Sequence, residues 1–487
     1  MSDTFDAIVV GGDVNGLTAA AYLARAGRKT LLVEPRNELG GDCENIAFSD
    51  GFVMPVLHEV HALDPQVVRD LKLARFGFRL AARDLPAVVI SGAQQPLVVS
   101  RDAFLTSRNL WGTSRVDSEA WGIFRYKALG LARALRAMWW SAEQRVDVDF
   151  DQILRLPLIT WLESKFESDA LKTALAFEIL ESGCSPAEIG STLQLHWRLA
   201  QEAGGLQAAC AFPAGGPAKF AEALVHAARA AGVTVRTGVR VDRIITLGCR
   251  VAGVVLANGE EIFTRMVHCS ASRAETFASL LPTAIEGIAH SADSTVSWPA
   301  PGIARLAFGL DALPEFASTN DGKARYFLID RLASLVSAHS AAQFDQMPDE
   351  LPLELVFPSI FDPSFAPIGQ HLMSVTVYAV PRTTDGSSAG MRESLVAKVL
   401  AAIARRVPEI TRHVKASHVL MPGDLSARYG MDATMPAAIR LCTTWADRIM
   451  TPVDGLYMCG RTAEPSRAIS GRAGRIAAEM ALQRGLV

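Results

Sequence analysis

The stretch Gly11-Gly12-Asp13-Val14-Asn15-Gly16 lies between the apolar run Ile8 to Val10 and an alanine-rich run from Leu17. Its spacing is close to G-x-G-x-x-G, the loop that holds the pyrophosphate of a dinucleotide at a helix N-terminus. In that loop the first glycine makes a tight turn, the second lets the backbone approach the phosphates, and the third packs helix against strand. Gly11 and Gly16 take the first and third positions, and Asp13 stands at the second. Two unit charges ~4 Å apart at an effective dielectric near 20 repel by roughly 4 kcal/mol, which is about three decades of affinity. Glu34 closes the run "KTLLVE" about 20 residues after the loop, where an acid accepts hydrogen bonds from an adenosine ribose.

These residues need a β-α-β unit to position them. A strand over Ala7 to Val10, a helix from Leu17 that ends at Gly27, and a second strand to Glu34 supply it. "PRNELGGDCE" then places Gly40 and Gly41 in a second tight loop, followed at once by Asp42. Downstream lies the stretch "FPAGGPAKFAEALVHAARAAGVTVRTGVRVDRII" (Phe212 to Ile245). Arg250 to Ser272 carries an Asn258-Gly259 hairpin signal between alternating strands. "VFPSIFDPSFAPIGQHLMSVTVYAVP" (Val356 to Pro381) and "DGLYMCGRTAEPSRAISGRAGRIAAEMAL" (Asp454 to Leu482) complete the set.

Together these motifs resemble the phytoene desaturase-like FAD-dependent oxidoreductases, in particular the pyridine nucleotide-disulfide oxidoreductase domain 2 branch, over nearly the whole chain. The resemblance implies an α/β fold: a two-dinucleotide-binding-domain flavoprotein, Rossmann-like, with a mixed α+β substrate domain. It implies a discontinuous FAD-binding domain over residues 1–75, 205–285 and 425–487, and a substrate or cap domain over 76–204 and 286–424. It carries over Gly11, Gly12 and Gly16 for the pyrophosphate, Glu34 for the ribose, and Gly40 and Gly41 for the adjoining turn. Val241 would lie beside the adenine, and Gly460 with Ile469 at the flavin end. No catalytic residue follows, because the flavin carries the hydride chemistry.

The chain departs from the family where the cofactor would lie. The closing loop, approximately C-G-A-G-T-H-P-G-G-G in the family, reads "CGRTAEPSRA" here. Arg461 and Thr462 replace a small pair, Glu464 replaces the histidine, and Ser466, Arg467 and Ala468 replace three glycines. "GMDATMPAA" (Gly430 to Ala438) lacks the branch's paired glycines and histidine. Two accounts fit. Arg461 or Arg467 neutralises Asp13 and FAD stays bound, or these side chains fill the pyrophosphate volume with an internal salt bridge. The first gives a FAD-dependent oxidoreductase, desaturase- or amine-oxidase-like, that oxidises an apolar small molecule by hydride transfer. The second gives a flavin-free relative: a binding module, a non-catalytic partner subunit or a non-redox enzyme.

The remaining sequence mostly excludes. The chain has 487 residues and a net charge of -3, so no global field attracts nucleic acid. Seven cysteines, odd in number and without a C-x-x-C pair, read as thiols of a reducing, cytoplasmic compartment. The N-terminus reaches its first strand too soon for a signal peptide. No run approaches the roughly 18 apolar residues of a spanning helix. Residues 124–140 form a basic amphipathic stripe, with Phe124, Ala128, Leu131, Leu135, Met138 and Trp139 at helical spacing. It reads as peripheral membrane contact or as a domain helix with a solvated basic face. His58 and His61 read as an ordinary polar pair in a loop, and no metal site is expected. The eight Trp residues read as packing, with Trp139-Trp140 as a cluster that could also line an apolar substrate channel. A homo-oligomer or a partner subunit stays open.

Overall fold

The computed structural model describes residues 4–91, 95–140, 155–281, 300–382, 389–430, 445–464 and 469–485. In chain order, β1 (Ala7–Val10), α1 (Val14–Arg25) and β2 (Thr30–Glu34) form the first unit, and β3 (Asn45–Ser49) and β4 (Phe52–Pro55) a hairpin. Next come β5 (Ala87–Ile90), β6 (Leu97–Val99), α2 (Ala103–Trp111), α3 (Arg115–Trp140), α4 (Asp169–Phe177) and α5 (Ser191–Ala200). The chain returns through α6 (Ala218–Ala230), β7 (Thr234–Thr237), β8 (Val241–Leu247), β9 (Arg250–Leu256), β10 (Glu261–Phe263) and β11 (Val267–Cys269). It continues with β12 (Gly302–Leu310), β13 (Arg325–Leu328), β14 (Leu353–Val356), β15 (His371–Val380), α7 (Ala389–Ala404) and β16 (Val414–Leu420). β17 (Leu456–Met458) and α8 (Arg472–Gln483) close it.

Five strands form a parallel sheet in the order β7-β2-β1-β11-β17. Its strands are short, and β1, β2, β11 and β17 are buried throughout, as parallel strands covered on both faces must be. α1, α6 and α8 cover one face. The antiparallel sheet β8-β9-β10 covers the other through Ile244, Val254 and Ile262. α1 and α8 touch closely: a Cβ on Gly474 would lie 2.0 Å from the Asn15 carbonyl oxygen.

A second sheet runs β16-β12-β15-β14-β13-β5-β6. Period-2 alternation divides it into two faces. Leu306 and Phe308, Val375 and Val377, and Leu353 and Leu355 pack with Leu395 and Val399 of α7. The residues between them face α4, α5 and the segment after β4.

The apolar stripe of 124–140 is core. Ala128, Leu135 and Trp139 are buried, and Trp139 meets Trp197 of α5 edge-on at 5.1 Å. Phe124 and Leu131 of the same stripe are half-buried against these clusters, and Trp139 serves packing. The side chains of Met138 and Trp140 lie outside the described residues. Among the described residues no helix is long and apolar enough to cross a membrane.

Candidate functional site

The two glycine loops close on one another beneath α1. The Gly40 N–H donates to the Gly12 carbonyl at 2.8 Å, and a Cβ on Gly41 would lie 2.9 Å from the Asp13 Cβ. Asp13 is the N-cap of α1, its carboxylate accepting from the Gly16 N–H at 2.8 Å. An anion at a helix N-terminus is favourable, and here the chain supplies it. The buried carboxylate of Glu34 accepts from the Gly12 N–H at 2.6 Å and the Arg36 N–H at 3.0 Å. Val239 donates its N–H to the Glu34 carbonyl at 3.2 Å, which brings Val241, at the start of β8, beside the same strand end.

From the other end of the chain, the Arg461 guanidinium reaches a carboxylate oxygen of Asp42 at 2.5 Å. Arg461 is one-fifth exposed and Asp42 buried. Burial pushes the Asp13 carboxyl up to about 6, against the pull of its Gly16 hydrogen bond and of Arg461; Asp42 and Glu34 push it further. Burial disfavours charge on Arg461, but Asp42 outweighs it and raises the guanidinium above its ordinary value. Arg461 thus bonds Asp42 and acts on Asp13 only through its field. Arg467 lies outside the described residues, as do Gly430's followers 431–438.

The retained glycines have reasons of their own. A Cβ on Gly11, where φ is +98°, would lie 2.1 Å from Ser270 Oγ; on Gly12, 2.4 Å from Leu39 Cδ2; on Gly16, 2.0 Å from the Gly11 carbonyl oxygen. On Gly460 it would lie 1.9 Å from the Ser270 carbonyl oxygen. At Gly16 and Gly460 the Cβ would meet backbone, and at Gly11 the positive φ favours glycine, so the chain itself demands these three with or without a ligand; at Gly12 it would meet only the end of the Leu39 side chain, which can move. The middle glycine of the motif exists for the ligand's approach, and that position is the one occupied by Asp13.

Ile469 is buried in the apolar cluster that includes α1 and α8. Nearby, Glu464 forms a buried pair with Arg472 at 2.7 Å, and Ser470 donates to its other oxygen at 2.6 Å. Arg472 also donates to Gln201 at 3.1 Å. Burial raises the Glu464 carboxyl above its usual range, against the pull of Arg472.

The inner face of the second sheet carries a layer of charge. Arg325 joins Glu354 at 2.6 Å and Glu178 at 2.7 Å; Arg198 meets Glu178 at 2.8 Å, and Tyr378 donates to Glu354 at 2.6 Å. The segment after β4 lies against it: His58 Nε2 is 2.6 Å from Glu59 and 3.2 Å from Thr376 Oγ1, with Nδ1 3.0 Å from Ser374 Oγ. His61 lies 3.2 Å from Glu59 and 3.4 Å from Glu181. Burial, then the arginines, lowers both imidazoles well below their ordinary values. Burial pushes Glu178 up, and Arg198 and Arg325 outweigh it to hold the carboxyl low. His58, Glu59 and Glu354 bring ligand-type atoms within 4.8 Å of one another. Arg325 and Tyr378 hold both oxygens of Glu354, so the group is engaged as an ion-pair network. The polar pair expected in an ordinary loop is in fact part of the interior.

The profile of the family described as FAD dependent oxidoreductase (DAO) matches residues 6–287. The chain belongs to this FAD-dependent oxidoreductase family. A relative named pyridine nucleotide-disulfide oxidoreductase domain-containing protein 2, from Rattus norvegicus, is 26% identical over 541 residues, covering 98% of this chain and 93% of the relative. A 4,4'-diaponeurosporene oxygenase from Staphylococcus aureus is 26% identical over 273 residues, covering 52% and 53%. Among solved structures, an oxidoreductase from Methanosarcina mazei aligns with a TM-score of 0.64 at 15% identity over 98% of this chain and 99% of that one. A putrescine oxidase bound to putrescine aligns at 0.62 and 14% identity over 99% of each chain. The Rossmann-like flavoprotein fold is common to them.

The family implies FAD, and the fit is decided at the pyrophosphate. FAD brings two negative charges to that point. The loops already present Asp13 and Asp42 there against Arg461, whose guanidinium is bonded to Asp42. The residues at this end do not fit the group.

Proposed function

We propose that this FAD-dependent oxidoreductase family member is flavin-free and acts by binding, as a non-catalytic partner subunit, in place of hydride transfer. One observation carries the reading: every glycine the chain's own packing demands is present, and the one whose task is to admit the cofactor is a carboxylate that caps α1. The Arg461–Asp42 pair supports it, since a guanidinium on a buried acid of the same chain is one that phosphate would have to displace. The fold survives the loss because its strands and helices are held by packing. The described cysteines are all unpaired thiols, which suits a cytoplasmic setting.

The test is the visible spectrum of the purified protein, with chromatography of anything released on denaturation and a titration with FAD. The expected result is no flavin before or after FAD addition, and uptake by the triple variant Asp13→Gly/Asp42→Ala/Arg461→Ala. Stoichiometric FAD in the native protein overturns the reading. It would restore oxidation of a small molecule by hydride transfer, which the retained position of Glu34 at the end of β2 favours.

A further inference from the structure

More than half of the large apolar side chains exposed among the described residues fall between Phe104 and Tyr126, on α2 and α3. Phe104 is 71% exposed, Trp111 51%, Ile123 62% and Tyr126 81%. They recur at helical spacing on two helices that touch, with Ser118 of α3 donating to the Ser107 carbonyl of α2 at 2.8 Å. The outward positions thus form one face. It is distinct from the stripe that α3 buries against α5.

Singly exposed apolar residues need no explanation, but a cluster of this kind marks an interaction surface. Its charge identifies the partner. Between residues 101 and 133 the exposed charged side chains are five basic and two acidic, on a chain whose net charge is -3. Arg108 and Arg115 flank Trp111, and the Arg115 guanidinium lies over the Trp111 ring at 4.4 Å from its centroid. Aromatic rings among basic side chains suit the interface of a bilayer, where the rings sit at headgroup depth and the cations meet anionic lipid.

We infer that the α2–α3 face docks this protein on the surface of an anionic lipid bilayer. The aromatic and aliphatic side chains enter the headgroup region, and the arginines and lysines pair with lipid phosphates. The inference does not depend on whether flavin is bound.

The test is sedimentation of the full-length protein with vesicles of phosphatidylcholine mixed with phosphatidylglycerol, beside vesicles of phosphatidylcholine alone. Binding to the anionic vesicles is expected, weaker by about tenfold or more on the neutral ones and at high salt. The variant Phe104→Ser/Ile123→Ser/Tyr126→Ser changes exposed positions only, so its thermal melt should match the parent while vesicle binding falls by about tenfold or more. Absence of sedimentation with anionic vesicles at low salt overturns the inference. Undiminished binding by the apolar variant also overturns it, leaving only electrostatic adsorption. A solution dimer of the parent that the same substitutions dissociate overturns it in favour of a second copy.

Discussion

Both the dinucleotide loops and the inner face of the second sheet hold buried acids against arginines, yet the two networks are built differently. On the sheet, Arg325 sits between Glu354 and Glu178, Tyr378 closes the far side of Glu354, and Arg198 closes Glu178. In the loops Arg461 makes one direct ion pair, with Asp42, and its side chain remains one-fifth exposed. The sheet network is part of the interior, where every member supports another. The loop pair stands where the two glycine loops meet at the N-terminus of α1, with Asp42 buried and Arg461 reaching it from the end of the chain.

The largest effect is therefore expected on the sheet. Arg325→Met leaves Glu354 fully buried without its cation and Glu178 with Arg198 alone, a loss of about 3–5 kcal/mol. Denaturant unfolding should show it as a midpoint shift of that size or as failure to accumulate folded protein. A loss below that of Arg461→Met would show that the sheet charges are solvated and would abolish the contrast.

In the loops, Arg461→Met strands Asp42 and should cost about 1–3 kcal/mol. Asp42→Ala in the same chain removes the stranded acid, so the double variant should recover most of the loss. The double-mutant cycle should give a coupling of about 1–2 kcal/mol. Additive losses would mean that the pair contributes nothing and that Arg461 is free to meet a phosphate.

The same contrast explains what the sequence made legible. The first β-α-β unit, its glycine loops and Glu34 are local: residues within a short span fix their own turn, cap and strand, and periodicity reveals them. The charge layer is assembled across the chain. Arg325 and Glu178 are 147 residues apart, and His58 and Ser374 are 316 apart. A signal was nevertheless present. Arg305 within "GIARLAFGL", Arg325 beginning "RYFL" and Glu354 within "LELV" are lone charges in strands that are otherwise buried and apolar. Such a charge must meet a partner. Which partner it meets depends on how the helices lie over the sheet, and no local pattern gives that. Asp13 and Arg461 were visible as substitutions; that Arg461 chooses Asp42 required the loop geometry.

Asp13 gives the smallest and most separable effects. Its carboxyl titrates at about 6 in the folded chain against 3.8 for the ordinary group, chiefly through burial. Between about pH 4 and pH 6 the folded chain holds a proton that the unfolded chain has released, so stability falls as pH rises through that window. Above pH 6 the loss is complete. Asp13→Asn removes the titration and keeps the cap, because an amide oxygen accepts the Gly16 N–H equally well. The Asn variant should match the parent below about pH 4 and exceed it above pH 6, by about 1–2 kcal/mol after allowance for solvent screening. Asp13→Ala removes charge and cap together and should fall below Asp13→Asn by about 1 kcal/mol at every pH. Melts of the three proteins at pH 4 and pH 8 separate the two contributions. If Asn and Ala coincide, Asp13 is no cap; its carboxylate would then be free to turn away from the loop, and the pyrophosphate could approach α1 after all.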